Sequence, residues 1–407
     1  MNLSPAEPWR LPDGVDELLP PVVRRVEALR QAFLELGSRW GFDPVSPPLI
    51  ESLDGLLTGT GEVMQRETFQ IVDQVDGRTL GIRADMTPQV ARMDALALAS
   101  EQPNRLLYTG TVLRARAEGI GASRNPQQFG AELFGHAGAE SDIELLRLML
   151  ETTLLTGVNA EQLVLDLGHV GVYAGLVAKA QLGASEAATL FDAMVRGSVP
   201  DVHELLTSLS PADALAERAR EALRSLPDRR GDQSVLTPVR ELVYGIDARV
   251  DEALDRLDAV VVAVGLTHPD VTIHIDLCEL RGFRYHTGLL FAVHDSRGQP
   301  LARGGRYDAV GQAFGSARAA TGFSGDLKRL SELVAEVDGE HATSIGIAAA
   351  DLEKPGAWDA VARLRADGHS VVTLLPDVRW PATVSGLLVQ DSGKWSVHSQ
   401  PDVTPDR

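Results

Sequence analysis

Apolar residues recur every three or four positions after Pro20-Pro21: Val22, Val26, Leu29, Phe33, Leu36 and Trp40 fall on one stripe. That spacing predicts an amphipathic helix with one buried face, ended by Gly41 as the residue past the C-cap. GFDPVSPPLIES is extended, because Pro44, Pro47 and Pro48 each deny a helical hydrogen bond. The period then shortens. TFQIVDQVDGRTLGIRAD predicts a hairpin, with two β-rich runs flanking the tight-turn pair Asp76-Gly77. Thr87 and Pro88 read as the cap and first residue of a helix. RLLYTGTVLRA and NPQQFGAELFG are two more strands around a loop from Ala117 to Arg124, and Ser141 reads as the cap of the helix DIELLRLMLETTLL.

From about Tyr173 to Leu257 the texture changes: Ala, Leu, Arg and Glu dominate and only helical spacing persists. This is a helical insertion, 173–257. Strand character returns at VTIHIDLCEL and YHTGLLFAVHD, GGRYDAVGQAF reads as a turn entering a helix, and a helix containing DLKRLSELVAE follows. Asp338-Gly339-Glu340 is the expected linker between a main domain, 1–338, and a small α/β unit, 342–399, with a tail over 400–407. Without regular alternation of β and α, the order of elements implies an α+β main domain, a mostly antiparallel sheet backed by helices, and argues against a Rossmann or TIM architecture.

Composition narrows the function classes. Of 407 residues, 44% are apolar and 23% charged, which is ordinary for a globular chain. The balance of 38 Lys+Arg against 57 Asp+Glu leaves −19. Nucleic acid and anionic membranes are therefore poor partners for the surface as a whole. One cysteine, Cys278, excludes an internal disulfide framework and a thiolate cluster. The longest apolar runs, such as Ala259 to Leu266, are too short to span a bilayer. No basic start followed by an apolar stretch marks a secretory signal, so a cytoplasmic protein is expected.

Four segments concentrate polar residues where burial is costly without a partner: Arg83 to Pro88; Arg124, Gln128 and Glu132; Glu279 to Gly288; and Arg303 to Asp308. The spacing 124, 128, 132 puts its three residues on one face if the segment is a strand. Taken singly, each has a plain reading: Glu132 as a solvated or paired carboxylate, Gly304-Gly305 as a turn, Arg83 with Asp85 as a surface pair worth little. His274, His286 and His294 lack an adjacent acidic cluster, so no metal is expected. Phosphate-loop, dinucleotide, nucleophile-elbow and zincin patterns are missing, and no cofactor is expected.

Taken together, WRLPDGVDELLPP, RADMTPQVAR, SRNPQQFGAELFG, DLCELRGFRYHTGLLFA, GGRYDAVG and TGFSGDLKRL occur in one order. They resemble histidyl-tRNA synthetase and its catalytically silent relative, the regulatory subunit of ATP phosphoribosyltransferase, from about Trp9 to Leu333. The resemblance implies a class II aminoacyl-tRNA synthetase core. It also implies a histidine pocket. Asp85 and Thr87 match the residues that hold the amino group, with Gln128 beside them, and Glu132 matches the carboxylate that reads the imidazole. Tyr285 and His286 sit where the synthetase has a pair of tyrosines, and Arg281 matches its catalytic arginine, which meets the substrate carboxylate.

Two readings share that pocket and differ in ATP chemistry. In Leu113-Arg114-Ala115-Arg116 an arginine replaces the Glu with which synthetases read the adenine amine, and a cation cannot accept that hydrogen bond. Asp326 stands where a Gly precedes the surviving Arg329. The region after Gly339 is short for an anticodon-binding domain. The resemblance thus implies a non-catalytic regulatory subunit that activates a separate short catalytic subunit in the first step of histidine biosynthesis, with histidine as feedback effector. It further implies dimers of this subunit inside a hetero-oligomer, a hetero-octamer in the family. An active histidyl-tRNA synthetase is the alternative.

Overall fold

The computed structural model describes residues 10–58, 61–98, 100–117, 122–210, 213–280, 285–315, 318–334 and 344–399. The expected linker at Asp338 to Glu340 and the tail 400–407 lie outside them. By internal contacts the chain divides into two units, Met1–Ala335 and Glu336–Arg407.

In the first unit the strands are, in chain order, β1 (Asp43–Pro44), β2 (Ile50–Ser52), β3 (Phe69–Val72), β4 (Thr79–Ile82), β5 (Asn104–Thr111), β6 (Gln127–Phe134), β7 (Val164–His169), β8 (Arg230–Gly231), β9 (Thr272–Asp276), β10 (Leu289–His294), β11 (Pro300–Arg306) and β12 (Ala320–Asp326). Among the described residues nine of them form one sheet in the order β1-β5-β6-β12-β11-β10-β7-β9-β8, while β2, β4 and β3 form a separate small sheet. The central strands β5, β6, β12, β11, β10 and β7 pair antiparallel; β1 with β5 and β7 with β9 pair parallel.

The Val22–Arg39 helix buries Val26, Leu29 and Phe33, the stripe that its spacing requires, and Gly41 follows it at φ +79°. Phe33 meets Phe129 of β6 edge-on at 5.2 Å, and Phe129 meets Phe323 of β12 at 6.3 Å. The odd positions of β6 (Phe129, Ala131, Leu133) thus belong to the main core, and the pleat sends Gln128, Gly130 and Glu132 to the other face. The Ala139–Leu154 helix packs against the sheet as well, burying Leu145, Leu146, Met149 and Leu150. Among the described residues of 173–257 the regular elements are α-helices, short 3₁₀ turns and β8.

Local chemistry departs from the sequence reading at four places. Thr87 is the first helical residue, not the cap; its hydroxyl lies 2.9 Å from that of Tyr108. Ser141 sits inside its helix, which begins at Ala139, and its hydroxyl donates to the carbonyls of His136 and Gly138. Gly304-Gly305 is no turn but the middle of β11. A side chain on Gly304 would collide with the Gly322 carbonyl oxygen of β12, so close strand approach demands glycine there. The hairpin bends not in two residues but through a wider loop closed by Asp73 N–H to the Arg78 carbonyl, with Gly77 at φ +76°.

The second unit pairs β13 (Ser344–Ala348) in parallel with β14 (Ser370–Leu374) and β15 (Val384–Asp391), and β15 antiparallel with β16 (Lys394–Ser399). The Ala357–Ala366 helix covers it, packing Ala357, Ala360 and Val361 against Ile345, Ile347, Val371 and Leu388. Among the described residues no helix is long and apolar enough to cross a membrane.

Candidate functional site

On the face of the sheet opposite the aromatic core lies a cavity of about 230 Å³. Glu132 forms its acidic end. The side chain is fully buried, and each carboxylate oxygen accepts from a tyrosine: Tyr108 of β5 donates to Oε1 at 2.9 Å, and Tyr307, just past β11, donates to Oε2 in a shorter contact. Two glycines make room. A Cβ on Gly130 would overlap the Tyr108 hydroxyl, and one on Gly322 would overlap Oε2 of Glu132.

Burial pushes the Glu132 carboxyl up to about 8, against the hydrogen bonds from Tyr307, Tyr108 and Thr87, with the nearby Asp85 charge adding to the rise. The same burial, together with the Glu132 charge, pushes the phenols of Tyr108, Tyr307 and Tyr285 well above their ordinary range. Burial thus favours the neutral form of the carboxyl and of the phenols around it.

Asp85, in the turn before the Thr87–Leu96 helix, accepts from the Thr87 backbone N–H at 3.0 Å and from the Gln128 amide at 2.7 Å. The Gln128 carbonyl accepts from Met86 N–H at 3.0 Å. This exchange of bonds locks the helix entry to β6, so that Asp85, Thr87, Gln128 and Glu132 form one connected network. Tyr285 stacks on Tyr307 at 5.3 Å and 27°, and His286 stands edge-on to it at 5.4 Å. Among the described residues the buried Tyr285 hydroxyl has no hydrogen-bond partner. An orphaned hydroxyl in a cavity wall costs free energy that a ligand would recover.

Six of the seven expected residues thus converge, and Arg281 lies outside the described residues. The convergence does not extend to Arg124, which precedes β6. Its guanidinium donates to the carbonyls of Arg114 and Asp13, 5.1 Å from the Phe69 ring. Arg83 is likewise no partner of Asp85; buried, it donates to the carbonyls of Thr111 and Pro47. The sequence reading passed over Tyr108 and Tyr307, the two clamps. Tyr307 lies within GGRYDAVG, and Tyr108 faces Gly130 in register, but neither spacing exposes a partner on another strand.

The cavity opens into a cleft of about 900 Å³ bordered by Arg114, Asp326 and Arg329. Asp326 accepts from the backbone N–H groups of Lys328 and Gln127, both at 3.0 Å, so it caps a short helix and ties down the start of β6. In another part of the cavity lining, Asp166 lies between His274 at 2.9 Å and His294 at 3.2 Å. Among the described residues no group of His, Cys, Asp and Glu is placed to hold a metal ion.

A curated relative from Thioalkalivibrio sulfidiphilus, an ATP phosphoribosyltransferase regulatory subunit, is 47% identical over 394 residues, 96% of this chain and 98% of its own. This chain belongs to the ATP phosphoribosyltransferase regulatory subunit family. A second member, from Chromohalobacter salexigens, is 46% identical over 396 residues, again covering 96% and 98%. The family model described as histidyl-tRNA synthetase matches residues 14–330, and that of the ATP phosphoribosyltransferase subunit HisZ C-terminal domain matches 344–398. In fold the chain is similar to a Bacillus halodurans structure described as an ATP phosphoribosyltransferase regulatory subunit/histidyl-tRNA synthetase, with a TM-score of 0.79 at 24% identity over 92% of this chain and 95% of that one. It is similar also to histidyl-tRNA synthetase from Nostoc sp. PCC 7120, with a TM-score of 0.73 at 17% identity over 96% and 94%. The architecture is therefore the α+β fold of the class II synthetases, and the family role is regulatory and non-catalytic, in histidine biosynthesis.

Proposed function

We propose that the cavity is a histidine sensor through which this subunit controls a separate, short catalytic subunit of ATP phosphoribosyltransferase in the cytoplasm. The observation that carries the reading is Glu132, a fully buried carboxyl with both oxygens oriented by tyrosines at the end of a small cavity. Burying such a group in a core is costly, and a ligand with a ring N–H offsets the cost.

In this reading Glu132 takes the imidazole N–H, Tyr285 supplies its unsatisfied hydroxyl beside the ring, and His286 closes the wall. Asp85 and Thr87 take the ammonium, with Gln128 holding Asp85 in place. Arg281 meets the carboxylate. Control is then a coupling free energy: histidine binds one state of the assembly better than the other, and the catalytic subunit responds by the same factor. The assembly contains dimers of this chain within a hetero-oligomer, as a hetero-octamer. Arg116 and Asp326 disfavour adenylate chemistry, and the net charge of −19 disfavours tRNA.

The deciding experiment purifies the chain with the short catalytic subunit and measures phosphoribosyl transfer to ATP with and without it, then with added histidine. Activation that histidine reverses supports the reading. No activation, together with histidine-dependent pyrophosphate exchange by this chain alone, would establish a synthetase instead.

A further inference from the structure

We infer that Arg303 anchors the α-carboxylate of the amino acid in this cavity and so makes the site selective for free amino acids over their decarboxylated or reduced analogues. The inference rests on the histidine-sensing reading above and adds to it a residue on the floor of the sheet.

Strand register places Arg303. Tyr108 pairs with Gly130, Gly130 with Ser324, Ser324 with Arg303, and Arg303 with Ala292, across five adjacent strands. Directly paired residues point to the same face of a sheet, so Arg303 rises from the face that carries Tyr108 and Glu132. It belongs to β11, an interior strand between β10 and β12. It is nevertheless exposed, whereas Leu301, Ala302, Gly305 and Arg306 of the same strand are buried. Its position on that face borders both the cavity and the cleft.

The chemistry of an amino acid then limits where its cation must be. Ammonium and carboxylate are bonded to one carbon, so both lie at the same end of the ligand. With the ring at Glu132, that end lies toward Asp85. Asp85, Arg303 and Ser324 are the described residues that border both the 230 Å³ cavity and the larger cleft. They mark the mouth between the two. Arg303 is also the one lysine or arginine among the described residues lining the smaller cavity, against the acidic groups Asp85, Glu132, Asp166 and Glu279. At the mouth, Asp85 holds the positive half of the zwitterion, and Arg303 joins Arg281, assigned above, on the negative half. A guanidinium offers a planar, paired set of donors that matches a carboxylate.

The test is titration calorimetry on the full chain with histidine and with histidinol, in which CH₂OH replaces the carboxylate, for the natural protein and for Arg303→Met and Arg303→Lys. Arg303→Met should weaken histidine binding by about tenfold or more and leave histidinol within about twofold, narrowing the preference by the same factor. Arg303→Lys should restore part of it. Equal weakening of both ligands would indicate a structural role and overturn the inference. So would an intact preference in Arg303→Met, including the case in which the variant instead loses binding of inorganic phosphate in the cleft. If the natural protein binds neither ligand, the histidine-sensing reading itself fails and this inference falls with it.

Discussion

Gly322 of β12 lies directly opposite Glu132 of β6, and the space of its missing side chain is filled by the Glu132 carboxylate. The two residues are one device: the glycine admits the acid to the floor of the sheet. Gly322→Ala should therefore displace the carboxylate from its tyrosine clamps. The expected outcome is at least a tenfold loss of histidine affinity with a lowered melting temperature, read by calorimetry and thermal denaturation. Unchanged affinity would mean that Glu132 does not contact the ligand.

The raised Glu132 carboxyl has a thermodynamic sign. Its ordinary value is 4.5 and burial takes it to about 8, so the folded chain holds this proton where the unfolded chain releases it. The stabilisation is complete below about 4.5 and is lost as pH rises to about 8, with a slope of at most about 1.4 kcal/mol per pH unit. Urea midpoints measured from pH 5 to 8.5 should fall more steeply for the natural protein than for Glu132→Gln. Parallel curves would show that the carboxyl titrates normally.

Tyr307→Phe keeps the ring that stacks on Tyr285 but removes the donor to Glu132. A buried carboxyl oxygen left unmet costs about 1–3 kcal/mol. The variant should be destabilised by that order, and Tyr108→Phe, which strips the other oxygen, should behave alike. Because both act on one group, the double variant should lose less than the two losses combined. Chemical denaturation of the four proteins checks this.

Arg306 supports the floor from below. Its guanidinium is buried 2.8 Å from the fully buried Asp142 and also donates to the carbonyls of His136 and Gly138. Arg256 still contacts Asp142 at 2.7 Å if Arg306 is removed. Arg306→Met should nevertheless cost about 3–5 kcal/mol, the usual penalty for breaking a buried pair from one side. A loss below about 1 kcal/mol, again by denaturation, would contradict its role as an anchor.

By itself the sequence determined the elements whose signal is periodic. The three-and-four spacing from Val22 to Trp40 is a helix because a 3.6-residue turn returns those positions to one face. The even numbering of Gln128 and Glu132 puts both on one side of β6 because a strand alternates. The ordered motifs pointed to the family, to five residues that line the cavity and to Gln128, which bonds to one of them. Tertiary structure alone decided what each of those residues touches. Glu132 and Tyr307 are 175 positions apart, and no local period links them. Thr87 reads as a cap from its neighbours, yet its hydroxyl turns to Tyr108, 21 positions away. Gly304-Gly305 reads as a turn until β12 is laid against it, when the Gly322 carbonyl leaves no room for a side chain. Propensity and period act over a few residues, whereas close packing and the satisfaction of buried polar groups act across strands that only the folded chain brings together.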